Sequence, residues 1–199
     1  MNGLPAHILL VHAIVVLLPL AAGLLVLTAV WPAARRRLAG PNALLSLGVL
    51  VLVPITTDAG EWLERRVPSS ELLHDHTELG DTALFVTVPV VVLALIVWWR
   101  GREDAAVATV TAASASEMED SPRSGVSTAT LTRPVTSRRA VLAPASRAVT
   151  IVIVVFAVLA AGGAVYDIYR IGDSGAKASW TGNFSSTPTK EGPGRPGGK

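Results

Sequence analysis

Four apolar runs, each about as long as a bilayer is thick, divide this chain: Ile8–Trp31, Ala43–Trp62, Leu79–Trp99 and Ala148–Tyr169. A helix needs about 20 apolar residues to cross roughly 30 Å of hydrocarbon. Backbone amides in lipid must find their partners inside the segment, so each run is expected to form one helix. The second is the least apolar, because Asp58 and Glu61 lie near its end. One such run alone could be a buried helix of a soluble domain. Four of them in 199 residues instead predict an all-α, polytopic membrane protein, a four-transmembrane-helix bundle with the lipid bilayer as its first partner. Composition agrees: half the residues are hydrophobic, 16% are charged and the mean hydropathy is +0.49.

The basic residues argue for topology rather than for nucleic acid. A net charge of +2 and a pI near 9.4 would suit a nucleic-acid binder, but the arginines flank the apolar runs, where orientation in a membrane is decided. Arg35, Arg36 and Arg37 follow the first run, Arg100 and Arg102 the third, and Arg138, Arg139 and Arg147 precede the fourth. The other side carries Arg65, Arg66, Arg170 and Lys177. The heavier basic load is expected in the cytoplasm, with the N- and C-termini outside a cell membrane. No Lys or Arg precedes Ile8, so the first run reads as an uncleaved span rather than a secretory signal. Trp31, Trp62, Trp98 and Trp99 stand at predicted span ends, where indole rings favour the headgroup level.

Pro19, Pro54 and Pro89 each fall near the middle of a span and are expected to shape kinks whose freed carbonyls neighbouring helices satisfy. Ala160-Ala161-Gly162-Gly163-Ala164 in the fourth run is expected to let helix backbones approach closely. A flat cofactor lying on that bare face is the alternative. Residues 1–102 thus hold three spans. Residues 103–146, rich in Ala, Ser and Thr with Pro122, Pro134 and Pro144, read as a disordered cytoplasmic linker. Residues 147–184 hold the fourth span and an outer motif, and the Gly- and Pro-rich residues 185–199 read as a disordered tail. Asn183-Phe184-Ser185 fits a glycosylation acceptor pattern.

With four crossings, all four histidines fall on the outer side. His7 and His12 open the first run, and His74 and His76 precede the third. His7 and His12 are five residues apart and diverge by about 140° on an ideal helix. His74 and His76 face one way only if extended. At 1.5 Å per residue, His12 lies about 6 Å inside the boundary and His76 about 4 Å outside it. His7 therefore matches His76 in level, and His12 matches Asp58. A His12–Asp58 pair could move a proton, or simply join two helices. Imidazoles with carboxylates suit zinc, iron or copper. Two imidazoles on facing helices suit haem b, with Arg65 or Arg66 meeting its propionates. The chain has no cysteine, which excludes thiolate metal sites, iron–sulfur clusters and thiol-attached haem. No HExxH, GxSxG, P-loop or dinucleotide fingerprint is present, so no catalytic residue is assigned.

The segments GLPAHILLVH, GEWLERR, HTELGDT and RIGDSGAKASW together resemble the bacterial membrane family catalogued as domain of unknown function 2231. With the four runs, the resemblance covers the chain apart from linker and tail. It implies a four-helix integral membrane protein, with recurrent histidines at His7, His12 and His76 and a cofactor role for them. Two departures stand out: the family usually has proline where this chain has Ile8, and histidine where it has Asp173. A carboxylate at 173 could bind zinc or iron(II) but is a poor haem ligand.

Two functions are expected. One is a redox-associated protein that holds haem or a divalent metal near the outer face through His7, His12 and His76 with Asp58 and Asp173, and that works with a membrane redox partner. The other is a non-enzymatic accessory subunit whose polar cluster only packs. A proton-coupled carrier using His12 and Asp58 is weaker, because no polar path crosses the midplane.

Overall fold

The turn between the first two helices consists of one residue. Helix α1 (Ala6–Val30) ends at Trp31, whose extended backbone (φ −106°, ψ 109°) leads directly into α2 (Pro32–Glu64). Proline suits this first helical position, since its φ is already helical and its missing N–H would have no partner there. Two longer helices follow, α3 (Glu71–Glu119) and α4 (Arg147–Trp180). Ser70 and Ser146 start them, each accepting a backbone N–H from three residues on, Leu73 at 3.2 Å and Val149 at 3.4 Å. The computed structural model describes residues 6–119 and 146–181, and among these there is no strand.

The helices run up, down, up and down. α1 packs on α2, α2 on α3, α3 on α4, and α4 closes the ring against α1. All four are long and apolar enough to cross a membrane. Their outer faces are as hydrophobic as their inner ones. Phe85 is 76% exposed, Leu44 73% and Leu159 64%, an apolar surface that only lipid would solvate without cost. Inside, Leu18, Leu25, Val49, Val53, Val90 and Ala157 are sealed from solvent. Many core positions are small, among them Ala21, Ala43, Ala94 and Ala164, which brings the backbones close together.

Polar groups in this interior are satisfied locally. Thr28, Thr56 and Thr87 donate to the carbonyls of Leu24, Leu52 and Ala83, four residues back, at 2.7–2.8 Å. Asn42 of α2 is 1% exposed. Its amide reaches across to α1, donating to the Ala21 carbonyl and accepting from the Leu25 N–H, both at 3.2 Å. Arg100, 2% exposed, donates to the Ser146 carbonyl at 3.2 Å and the Thr150 hydroxyl at 2.8 Å, tying α3 to the first turn of α4.

Helix boundaries extend past the expected spans. α2 takes in Arg35–Arg37, which lie between the first two expected spans, because Ala, Leu and Arg all favour helix once Pro32 has started one. α3 runs on through the Ala-rich residues 103–119, where a linker was expected to begin. Residues 120–145 of that linker and the whole tail, together with Asn183, lie outside the described residues. α4 carries the outer motif to Trp180 as helix. In the small-residue run only Ala164 is buried. Gly162 and Gly163 have no neighbour within 4 Å of where a side chain would start, so they do not pack within the chain.

Asn42→Ala removes a side-chain bridge from α2 to the α1 backbone. Reversible unfolding in detergent should show a loss of about 1 kcal/mol, the usual worth of a hydrogen bond between helices in a membrane protein. An unchanged midpoint would show that the bridge contributes nothing.

Candidate functional site

Each helical hairpin seats one histidine on a glycine. His7 lies in the first turn of α1, not before it, and turns inward to the end of α2. Its Nδ1 is 3.0 Å from the Thr56 carbonyl oxygen. A carbonyl only accepts, so Nδ1 is the donor in this contact, which leaves Nε2 as the second ring nitrogen. The approach depends on Gly60, one turn after Thr56. A Cβ there would stand 3.0 Å from His7 Cε1 and 3.1 Å from Nδ1.

His76 repeats the arrangement in the second hairpin. Its Nδ1 is 2.9 Å from Ser174 Oγ. The Ser174 hydroxyl is already donated to the Ile171 carbonyl at 2.9 Å, so Oγ accepts from the imidazole and Nε2 is again the second ring nitrogen. Gly175 is the seat: a Cβ there would come within 2.9 Å of His76 Cε1. Burial holds the His76 pKa below the ordinary 6.5, and repulsion from nearby His7 lowers it further. The Ile171 carbonyl offsets part of this.

The two seats share a sequence signature, Asp58-Ala59-Gly60 and Asp173-Ser174-Gly175. This signal was available in the sequence and marks the residues that sequence reasoning missed: Thr56, Gly60, Ser174 and Gly175. It also explains where the two aspartates go. Two residues along a helix is a rotation of about 200°, so an aspartate two before a glycine that faces the histidine points away from it. Asp58 is exposed, and Asp173 pairs with Lys177 at 2.7 Å.

Between the hairpins lies an open cleft of about 1060 Å³, bordered by all four histidines. His12 does not meet Asp58. Its Nδ1 donates back to the Ile8 carbonyl at 2.6 Å, which leaves a third Nε2 at the cleft. His74, on a helix rather than an extended segment, diverges from His76 and pairs with Glu78 at 3.2 Å. Arg65 borders the cleft and lies 3.7 Å from Glu61. Arg66 turns outward, stacking 3.6 Å above Trp62 and donating to its carbonyl. The charged lining is Glu61, Glu64, Glu78 and Asp81 against Arg65, a balance that favours a cation over an anion. In α4, Asp167 is 6% exposed; its Oδ1 accepts from Thr82 at 2.8 Å, and its Oδ2 has no partner among the described residues.

Of the expected ligands, His7, His12 and His76 border one cleft, while Asp58 and Asp173 do not line it. Among the described residues no group of three or more His, Cys, Asp and Glu side chains is gathered for a metal ion. No protein-family model matches the chain, and comparison with curated proteins and with solved structures finds no match.

The folded chain binds the His76 proton less readily than the unfolded chain does. The stability this contributes is complete above about pH 6.5 and is lost as pH falls towards the lower folded value. Unfolding midpoints in detergent should therefore drop between about pH 7 and pH 5, and less so in His76→Gln. Parallel profiles for the two proteins would exclude His76 as the source.

Proposed function

We propose that this chain is a multi-pass membrane protein that holds a redox-active centre, haem b or a divalent metal, between His7 and His76 at its outer face. The observation that carries this reading is the shared state of three imidazoles. His7, His12 and His76 all give Nδ1–H to a fixed acceptor and leave Nε2 free at one cleft. A ligating histidine needs this arrangement, since the Nδ1 bond sets both tautomer and ring orientation.

The donor set suits haem better than a bare ion. Haem iron takes two axial imidazoles, and His7 and His76 come from opposite hairpins at one level. A tetrahedral metal needs three or four protein ligands gathered at one point, and among the described residues no three His, Asp or Glu side chains are so gathered. Arg65 is the propionate partner. A bound haem would supply one-electron chemistry. The chain's part would be to orient the two imidazoles through Thr56 and Ser174, with burial disfavouring protonation of His76.

A second reading, a non-enzymatic accessory subunit, is favoured by the same hydrogen bonds. His7 and His76 each fasten the start of one helix to the end of its neighbour, and this would lock the bundle with no ligand at all. Visible spectra and metal analysis of the protein purified in mild detergent separate the two. A Soret band lost in both His7→Ala and His76→Ala supports haem, and stoichiometric metal without that band supports an ion. A folded protein that stays colourless and metal-free after supply of haem and metals favours the accessory role.

The orientation rests on arginine placement. Arg35, Arg36, Arg37, Arg100, Arg102 and Arg147 gather at the end away from the histidines, against Arg65, Arg66, Arg170 and Lys177 at the other, and this heavier basic load supports a cytoplasmic place for that end. A cysteine introduced as Ser70→Cys, in the connection between α2 and α3, should react with an impermeant reagent from outside the cell. Labelling from the cytoplasm alone would invert the topology.

A further inference from the structure

We infer that copies of this chain pack side by side in the membrane, the outer face of α2 in one against the outer face of α4 in the next, with Asp58 meeting Tyr166 and Arg170 across the contact. The inference rests on the membrane placement proposed above and is independent of what the histidine cleft holds.

Asp58 is the residue that asks for a partner. It lies four residues before Trp62, about 6 Å inside the outer boundary at 1.5 Å per residue. It is exposed, does not border the cleft, and has no hydrogen bond or ion pair among the described residues. Val51, Ile55 and Trp62 share its side of the helix, at offsets of seven, three and four residues, and they too are exposed. Asp58 therefore stands on the face of α2 that meets lipid. Ionisable groups at such a depth turn to a protein interior or a water-filled cavity and pair there. The cation on the same stripe, Arg66, lies two turns nearer the water and is engaged by the ring and carbonyl of Trp62.

The outer face of α4 offers what this one lacks. Tyr166 and Arg170 are one turn apart on it, both exposed and both without a hydrogen bond or ion pair among the described residues. Tyr166 stands three residues before the end of the apolar run, about 4–5 Å inside and close to the level of Asp58. Arg170 starts one residue past that end. The Cα–Cβ bonds of a helix tilt towards its N-terminus, so in α4 this arginine starts back into the membrane. A phenol and a guanidinium are both donors to a carboxylate. Gly162, one turn deeper than Tyr166, has nothing within 4 Å of where a side chain would start, which lets another helix approach closely. Asp173, the acid on this stripe, is already paired with Lys177.

The occupant is a second copy because the complementary groups lie on two faces of one chain that cannot meet within it. α2 and α4 stand at opposite corners of the ring and do not touch. They run in the same direction, so residues equally far from the outer ends lie at equal depth. Ile55 and Gly162 are such a pair, each seven residues before the closing Trp62 or Tyr169 of its run.

The chain has no cysteine, so introduced thiols report on this contact alone. Full-length Ile55→Cys and Gly162→Cys chains are co-expressed, and their membranes are oxidised with copper phenanthroline. Both positions face out of the bundle, so neither change disturbs the fold. The mixture should yield a disulfide-linked dimer, and neither form alone should do so. In the mixture, Asp58→Ala and Arg170→Gln should each lower the yield per membrane-bound chain about threefold, the weight of one hydrogen bond between membrane helices. Together they should lower it no further than Asp58→Ala does. Asp75→Asn, an exposed acid of the same end, should leave it unchanged. No cross-link in membrane-bound protein, equal cross-linking of either form alone, or an equal loss with Asp75→Asn would overturn the contact. A disulfide formed only with a different protein would overturn the second copy as its occupant. Recovery of the chain outside the membrane fraction would overturn the membrane placement and the contact together.

Discussion

The close approach of an imidazole to a bare helix backbone sets the geometry of the whole histidine end. A helix normally shields its carbonyls behind side chains. At Gly60 and Gly175 that shield is missing, so a ring from the neighbouring helix lies against the backbone. His7 then shares the Thr56 carbonyl with the helix's own hydrogen bonding, and His76 reaches Ser174. Each contact joins the first turn of one helix to the last turns of the next. A glycine in a helix costs about 1 kcal/mol against alanine, and here that cost is offset by a hydrogen bond no alanine would permit. The cleft exists because both hairpins do this at the same end and face one another.

Number and direction of the helices were legible because they depend on long averages. Four runs of about 20 apolar residues leave little else for the chain to do, and tryptophans and arginines at their ends follow from the chemistry of the interface. Helix ends were less legible. The apolar runs stop where charged residues begin, but Arg35–Arg37, the alanines after Asp104 and the Asp173–Trp180 segment all sustain helix beyond that point. Hydropathy and helix propensity are separate quantities, and only the first changes at a membrane boundary.

The site was half legible. Even crossings placed the histidines at one end, and equal depth matched His7 with His76. The aspartates were assigned by depth alone. Depth says nothing about azimuth, and two helical residues of offset from the seat glycines turn Asp58 and Asp173 away. The seats themselves were missed because an isolated helical glycine reads as a simple cost until its partner is known. The repeated Asp-x-Gly was the one visible clue, and it gains meaning only when His7 and His76 are seen to occupy equivalent places in two hairpins.

That equivalence bears on what the cleft receives. A histidine whose only task is to fasten helices is served equally well by either ring nitrogen. Here His7 and His76 use Nδ1 for a contact with the neighbouring helix and His12 for one within its own, and all three rings border the cleft. Each Nε2 is an acceptor, so three acceptors meet a lining that already contains four carboxylates and one arginine. Such a surface repels anions and offers nothing to a neutral acceptor. It is satisfied by water, by a hydrogen-bond donor or by an electrophile such as a metal centre. Protons compete for the same lone pairs. Burial of His76 beside His7 disfavours positive charge at that nitrogen, a metal ion's as well as a proton's.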